Sequence, residues 1–453
     1  MFSTAFIVFL LVFVVFLFLG APIYLALLCS GLSYTFLHGG IDNMAVMAKM
    51  YGSLNNFVLL AIPMFMMAGK LMNSGGITDR IFGFCRSILG HFPGGLAYVN
   101  ILSSFIFSGM SGSALADVGG LGAVEIKAMR DEGYEDDLIF GITAASATMG
   151  PIVPPSIPMV IYGAAASVSV GTLFMAGVGP GIVIALVLGV FVFFEAKKRH
   201  YPVHKKCTLK EILGWFIQSF WALLMIVIIL GGISIGIFTP TEASCIAIAY
   251  CIIAVCLIYR DMKPIDFAAR KAYKEATAEQ RKTMTIFDIP GCVSETVQDI
   301  VPAMAIVCSA SLFGWVLQFE HLGKLMLNGM LSITTNKWLI LLMIDIILLF
   351  FGMILDSTPT ILLLVPIFQP LVQEVGISEI HLGIVVVLNL MIGLMTPPYG
   401  QSLFMLAGAT KTPFKTVVKY VAPWLVPMFI ALALVTFCPP IVLTIPRLLG
   451  FAC

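Results

Sequence analysis

The stretch GPIVPPSIP, residues 150–158, carries four prolines in nine positions, inside a segment that is otherwise apolar. Each proline removes a backbone donor and clashes with the preceding turn, so the stretch closes one helix and opens another. The chain around it reads as membrane protein. Of its 453 residues, 60% are hydrophobic and 11% charged, and the mean hydropathy is +1.03. Apolar runs of bilayer-spanning length recur from end to end, which excludes a soluble globular domain of any size. The predicted class is an all-α polytopic membrane protein. The formal net charge of +1 gives no reason to expect nucleic acid as a partner; the lipid bilayer is the expected one. The ten cysteines lack metal-ligand spacing and lie mostly in apolar spans. The start, MFSTAFIVFLLVFVVF, has no basic segment and reads as a retained span. The link LGAP, residues 19–22, leaves the first two segments readable as one broken helix.

The break has a counterpart. Gly150, Pro154 and Pro155 recur 243 positions later as Gly393, Pro397 and Pro398, in GLMTPPYGQ, and Gly133 recurs as Gly376. Ahead of each break a polar turn interrupts an apolar run: SGMSGSALAD at 108–117 and FGMILDSTPT at 351–360. This order predicts two inverted repeats, the mark of secondary transporters. Residues 1–206 hold a hairpin near 88–129 and a broken helix near 138–170. Residues 207–453 hold a cytoplasmic linker near 260–297, a hairpin near 334–374 and a broken helix near 383–410. The basic stretch KKRHYPVHKK, 197–206, and a second at 260–282 are separated by two spans, and the positive-inside rule places both in the cytoplasm. The loops NSGGITDR and RDEGYEDD then share that side. One re-entrant hairpin enters from each face.

A helix ending in mid-membrane leaves about four orphan carbonyls, and one beginning there about four orphan N–H groups. Such ends are tolerated only in protein or beside a wet cavity. Carbonyl ends attract cations and N–H ends attract anions. The expectation is therefore a cation near the carbonyls before Gly150 and an anion near the N–H groups after Ser156, with Ser156 as N-cap. At the first hairpin tip, Ser111 or Ser113 can cap the second arm, with Asp117 one turn on. At the second tip, Asp356 and Thr358 offer oxygens. The second break turns at Thr396, Pro397 and Pro398. Hard oxygen donors suit Na⁺ or H⁺ and not a transition metal. Intramembrane carboxylates are costly and mark function, although either Asp117 or Asp356 could instead be a helix cap. Asp345 stays open between a buried polar partner and a site residue. Glu242 with Thr239 reads as a capping box. The runs GGLGA and GAAAS serve close helix packing. No lysine or arginine lies near a kink in sequence, so an anion would rest on N–H ends and hydroxyls or arrive with cations.

Two enzyme readings fail on their own motifs. GMSG, 109–112, matches the GxSG of intramembrane serine proteases, but His200, His204, His321 and His381 fall at span ends or in loops. Asp117 and Asp356 lack the GxGD setting of intramembrane aspartyl proteases.

The segments GMSGSALADVGGLG, EIKAMRDEGYEDDLIFGITAASATMGPIVPPSIPMVIYG, GIFTPTEAS, FGMILDSTPTILLLVPI and LMTPPYGQSLF resemble the large membrane subunit of tripartite ATP-independent periplasmic (TRAP) transporters, over essentially the whole chain. The resemblance implies an inner-membrane, multi-pass subunit for organic-acid uptake with Na⁺ as coupling ion and no other cofactor. It implies a periplasmic substrate-binding protein, a small four-helix membrane subunit on a separate chain, and an elevator mechanism in which hairpins and broken helices move against a scaffold. Carried over by motif, one Na⁺ site involves Ser111, Ser113, Asp117, Gly150, Pro154 and Ser156. The other involves Asp356, Thr358, Gly393, Thr396 and Pro397. The solute would lie between the tips, near Ser113, Ser156, Thr358 and Pro398. A stand-alone dicarboxylate/Na⁺ symporter of the same superfamily is the alternative; its Ser-Asn-Thr tips are absent here.

Overall fold

Glycine and proline set the helix ends in this chain, and the computed structural model, which describes residues 3–199, 201, 203, 205–258 and 289–451, is helical with no strand among them. Among the described residues five helices are long and apolar enough to cross a membrane, or six where the bent pair Asn43–Leu54 with Phe57–Asn73 counts as one. Many large apolar side chains remain exposed, including Phe18, Phe193, Phe194 and Leu209, as a lipid-facing surface requires. The chain is an all-helical polytopic membrane protein.

The first two segments are separate helices. Thr4–Phe18 and Ile23–His38 lie side by side, and the Ser30 hydroxyl donates to the Phe9 carbonyl at 2.6 Å. The link at 19–22 is therefore a turn between neighbours. Ile77–Leu89 and Leu322–Ile333 are among the helices that lack a long apolar window in the sequence. Ile77–Leu89 is amphipathic and carries Asp79, Arg80 and Arg86. Leu322–Ile333 is only 12 residues long. The helix that follows the expected linker starts at Ile289. The expected linker at 260–297 therefore overlaps that helix from 289 onward; its residues up to 288 lie outside the described ones. Thr239 and Glu242 form the expected capping box.

Each half contains a helix pair joined by a tight tip, followed by an interrupted helix. In the first, Gly95–Ser111 reaches the tip, and Ala114–Ala116 leads through a π-helical segment, Asp117–Leu121, into Gly122–Asp131. Gly112 turns the tip at φ +61°, and a Cβ there would lie 2.7 Å from the Pro155 carbonyl, so only glycine allows the approach. The second pair is Lys337–Gly352 and Ser357–Val375. Gly133 and Gly376 end the two second arms at φ +80° and +72°, each in open space. The interrupted helices are Asp136–Ala147 with Ile157–Ala166, and Glu379–Leu394 with Gln401–Thr410. Both Pro-Pro bonds, Pro154–Pro155 and Pro397–Pro398, are cis.

Ion pairs gather one face. Arg199 bonds Asp137 at 2.6 and 2.8 Å, Glu195 at 3.0 Å, and Glu135. Arg86 reaches Glu132 at 2.5 Å. The loop RDEGYEDD and the end of Val170–Arg199 thus share a side, as the charge pattern requires. At the far end of the first interrupted helix, Tyr162 donates to the Glu379 carbonyl at 2.8 Å, and Gln369 donates to the Ala166 carbonyl at 3.0 Å. The first interrupted helix therefore ends where the second begins.

Candidate functional site

The two tips face one cavity of about 830 Å³. Ser111–Ala116 line it from the first tip, Asp356–Thr358 from the second, Pro151, Ile157 and Pro158 from the first break, and Met391, Leu394 and Met405 from the second interrupted helix. The opposite wall comes from Ala61–Ser74, through Met66, Gly69, Lys70 and Asn73, and from Ile289–Phe319, through Glu295, Gln298 and Asp299. Gly69 lies against the first tip: a Cβ there would sit 3.3 Å from the Ser111 Cα.

At the first tip, Ser113 is the N-cap and its hydroxyl accepts from the Ala116 N–H at 3.4 Å. The break locks onto this tip. The Ile157 N–H donates to the Gly112 carbonyl at 3.4 Å, and a Cβ on Gly150 would meet Ser113 backbone atoms at 3.0 Å. Ser156 caps the outgoing half-helix by accepting from the Met159 N–H at 3.2 Å, and it donates to the Pro151 carbonyl. The Val160 N–H bonds the Ser156 carbonyl at 3.2 Å, and Pro158 has no N–H. The donors expected to await an anion after Ser156 are therefore already engaged, by the cap and by the tip. The N–H groups of Ala114, Leu115 and Thr358, which line the cavity, have no hydrogen-bond partner among the described residues. The unpaired N–H ends thus sit at the tips instead.

The carbonyls before Gly150 are also partly engaged. Thr148, Met149 and Gly150 N–H groups bond the carbonyls of Ala145, Ser146 and Ala147 at 3.3, 3.0 and 3.1 Å as the helix tightens. The Ala145 carbonyl also accepts from the Thr148 hydroxyl at 2.6 Å, whereas the Ala147 carbonyl keeps a second lone pair. At the second break, Met395 and Thr396 bond Ile392 and Gly393 carbonyls in the same way, at 3.1 and 3.0 Å. The Thr396 hydroxyl turns back to the Ile392 carbonyl at 2.7 Å. A Cβ on Gly393 would lie 2.6 Å from the Gly352 carbonyl, which docks this helix on the second hairpin.

The carboxylates differ. Asp117 is 1% exposed. Ser104 lies beside it, but that hydroxyl donates to Ser146 at 3.2 Å, and neither Asp117 oxygen has a hydrogen bond. It is not a cap. The buried Ser111 hydroxyl is also without a partner. An unpaired buried carboxylate is strongly unfavourable, so Asp117 is a place where a cation gains most. Asp356 is a cap, accepting from the Ser357 N–H at 2.7 Å. Asp345 is a buried polar partner, bonded by Asn389 at 3.0 Å and by Thr436 at 3.0 Å.

Ser111, Ser113, Asp356 and Thr358 line the cavity. Gly150, Pro154, Ser156 and Asp117 lie buried behind the first tip, outside the lining. Gly393 and Thr396 are buried behind the second, Pro397 is half-buried, and Pro398 is exposed; none of the four lines the cavity. Sequence reading missed a buried polar cluster behind the first tip. Glu125, 1% exposed, accepts from Asn100 at 2.7 Å and from Ser103 at 2.5 Å, and Ser146 donates to Asn100 at 2.6 Å. A carboxylate inside an apolar arm is the signal that could have found it. Lys70 was missed as well. The expectation that no cation nears the kinks came from chain position; in space Lys70 shares the cavity with both tips.

The family model described as the DctM component of the tripartite ATP-independent periplasmic transporter matches residues 10–441. The sialic acid TRAP transporter large permease protein SiaM of Vibrio cholerae is 40% identical over 96% of this chain and 97% of its own. The sialic acid TRAP transporter permease protein SiaT of Haemophilus influenzae is 41% identical over 97% of this chain and 68% of its own. The C4-dicarboxylate TRAP transporter large permease protein DctM of Pseudomonas aeruginosa is 35% identical over 89% and 90%. The YdaH transporter of Alcanivorax borkumensis shares the fold, with a TM-score of 0.59 at 13% identity over 96% of this chain and 98% of that one. MtrF of Neisseria gonorrhoeae does so at 0.54 and 12%, over 97% and 95%. The chain belongs to the DctM family of TRAP transporter large permeases. It is a permease subunit and not an enzyme.

Proposed function

We propose that this DctM-family chain is the translocating subunit of a Na⁺-coupled, binding-protein-dependent importer of a carboxylate solute in a bacterial inner membrane. One observation carries the reading: both tips line a single cavity of about 830 Å³. The halves form an inverted repeat. Ser113 and Asp356, 243 positions apart, are both N-caps of the arm that leaves a tip, and the first interrupted helix ends where the second begins. The hairpins are re-entrant, and with the interrupted helices they make the body that moves by an elevator stroke. The wall formed by Ala61–Ser74 and Ile289–Phe319 belongs to the scaffold.

Na⁺ binds behind the first tip, where Asp117 and Ser111 have unspent oxygens, and beside Asp356 at the second. Each ion removes the cost of an unpaired charge and fastens a tip to its break. The solute then sits between the tips, with a carboxylate on the N–H groups of Ala114, Leu115 and Thr358. The named relatives carry sialic acid and C4-dicarboxylates; the shared group is the carboxylate, and a periplasmic binding protein selects the rest. A small membrane subunit widens the scaffold.

The test is uptake of radiolabelled sialic acid or succinate into proteoliposomes holding the chain and its small subunit. The expected result is uptake only with binding protein outside and an inward Na⁺ gradient. Uptake that persists without binding protein identifies a stand-alone symporter and overturns the reading.

A further inference from the structure

We propose that Lys70 is the counter-charge for the solute's carboxylate, handed over from Asp299 when the solute enters. The inference rests on the carboxylate-import reading above and adds a specificity-determining residue to it. Among the described residues lining the cavity, Lys70 is the one with a positive charge, set against three carboxylates: Glu295, Asp299 and Asp356. An anionic solute meets a wall of net negative charge, and Lys70 is the feature of that wall that attracts it. Its neighbour Gly69 packs against the first tip at Ser111, and Lys70 lines the same cavity as both tips.

The lysine is poised for exchange. Its ammonium lies 2.7 Å from Asp299 and 3.6 Å from Glu295, both on Ile289–Phe319. The lysine side chain is 25% exposed, whereas those of Glu295 and Asp299 are 67% and 53% exposed. Ion pairs with such exposed partners contribute little, because water solvates the released carboxylate nearly as well. A solute carboxylate held between the tips is less hydrated and gains more from the same ammonium. The hand-over therefore favours the solute, and Asp299 returns to water. A lysine serving only to fasten Ala61–Ser74 to Ile289–Phe319 would behave differently. Removing either partner would then have the same consequence.

That difference in sign is the test. The chain with its small subunit, in nanodiscs and saturating Na⁺, is titrated with radiolabelled sialic acid, with succinate as second probe. Lys70→Gln is expected to weaken apparent affinity about tenfold, the loss of one charge-assisted bond. Lys70→Arg stays within about threefold, and Asp299→Asn tightens binding by about twofold because a competitor is gone. A Na⁺-dependent melting shift equal to wild type reports that each variant is folded. Unchanged affinity in Lys70→Gln overturns the proposal. So does equal weakening in Lys70→Gln and Asp299→Asn, which is the signature of a helix fastener. If Lys70→Gln does not fold, the direction of the Asp299→Asn change decides alone. Wild type that binds neither probe overturns the import reading itself, and this inference with it.

Discussion

At the first tip Ser113 caps the departing arm, and 243 positions later Asp356 holds the equivalent position and does the same. The equivalence stops at the carboxylates. In the first half the cap and the acid are separate residues: Ser113 accepts from the backbone, while Asp117, one turn on, accepts nothing. In the second half Asp356 is both cap and cavity carboxylate, and the position equivalent to Asp117 is Thr360, whose hydroxyl donates to the Asp356 carbonyl at 2.7 Å. Behind the tips, Ser146 bonds Asn100 in the first half, and its equivalent Asn389 bonds Asp345 in the second. The two tips share the backbone device, a capped arm beside a proline break, and differ in where the charge sits. An N–H end must be capped wherever it is buried, whereas a cation can be met from more than one direction.

The comparison breaks most severely at Asp356. Asp356→Ala removes a cap and a charge together, about 3 kcal/mol in sum, and is expected to slow Na⁺-driven uptake about a hundredfold with membrane insertion intact. Wild-type uptake would reduce the residue to a cap. Asp117→Asn comes next. The half-saturating Na⁺ concentration should rise about tenfold. The Na⁺-free protein should melt no lower, because a buried carboxyl without a hydrogen-bond partner is gone. A lower melting point without Na⁺ would show that Asp117 has a partner after all. Ser113→Ala removes a cap alone, about 1 kcal/mol, and should slow uptake about fivefold with the half-saturating Na⁺ concentration little changed; a Na⁺ defect as large as that of Asp117→Asn would mean that Ser113 ligates the ion. Asp345→Asn should do least. Both its oxygens are already bonded, by Asn389 and Thr436, so the half-saturating Na⁺ concentration should stay within about twofold. A larger change would move the second cation site toward Asp345.

Much of this was legible in the residues because it is local. Proline fixes where a helix cannot continue, and Ser156, Asp356 and the Thr239–Glu242 box are recognised from neighbours within one helical turn. What stayed hidden depends on contacts far apart in the chain. The Ile157 N–H is taken by Gly112, which leaves the unpaired donors at the tips and not at the break. Lys70 enters the site from a helix that no repeat pattern marks. Ile77–Leu89 was missed for a different reason: its charged residues dilute the apolar signal that a spanning helix gives.

The central claim, that the two tips close on one site, is tested most directly by cysteine reactivity. Ser113→Cys and Thr358→Cys are placed one at a time in a chain whose ten native cysteines are replaced, and maleimide labelling is timed in nanodiscs with sialic acid or succinate. Na⁺ and solute together should slow labelling at both tips, and K⁺ in place of Na⁺ should protect neither. Protection of one tip alone, or equal protection in K⁺, would contradict it.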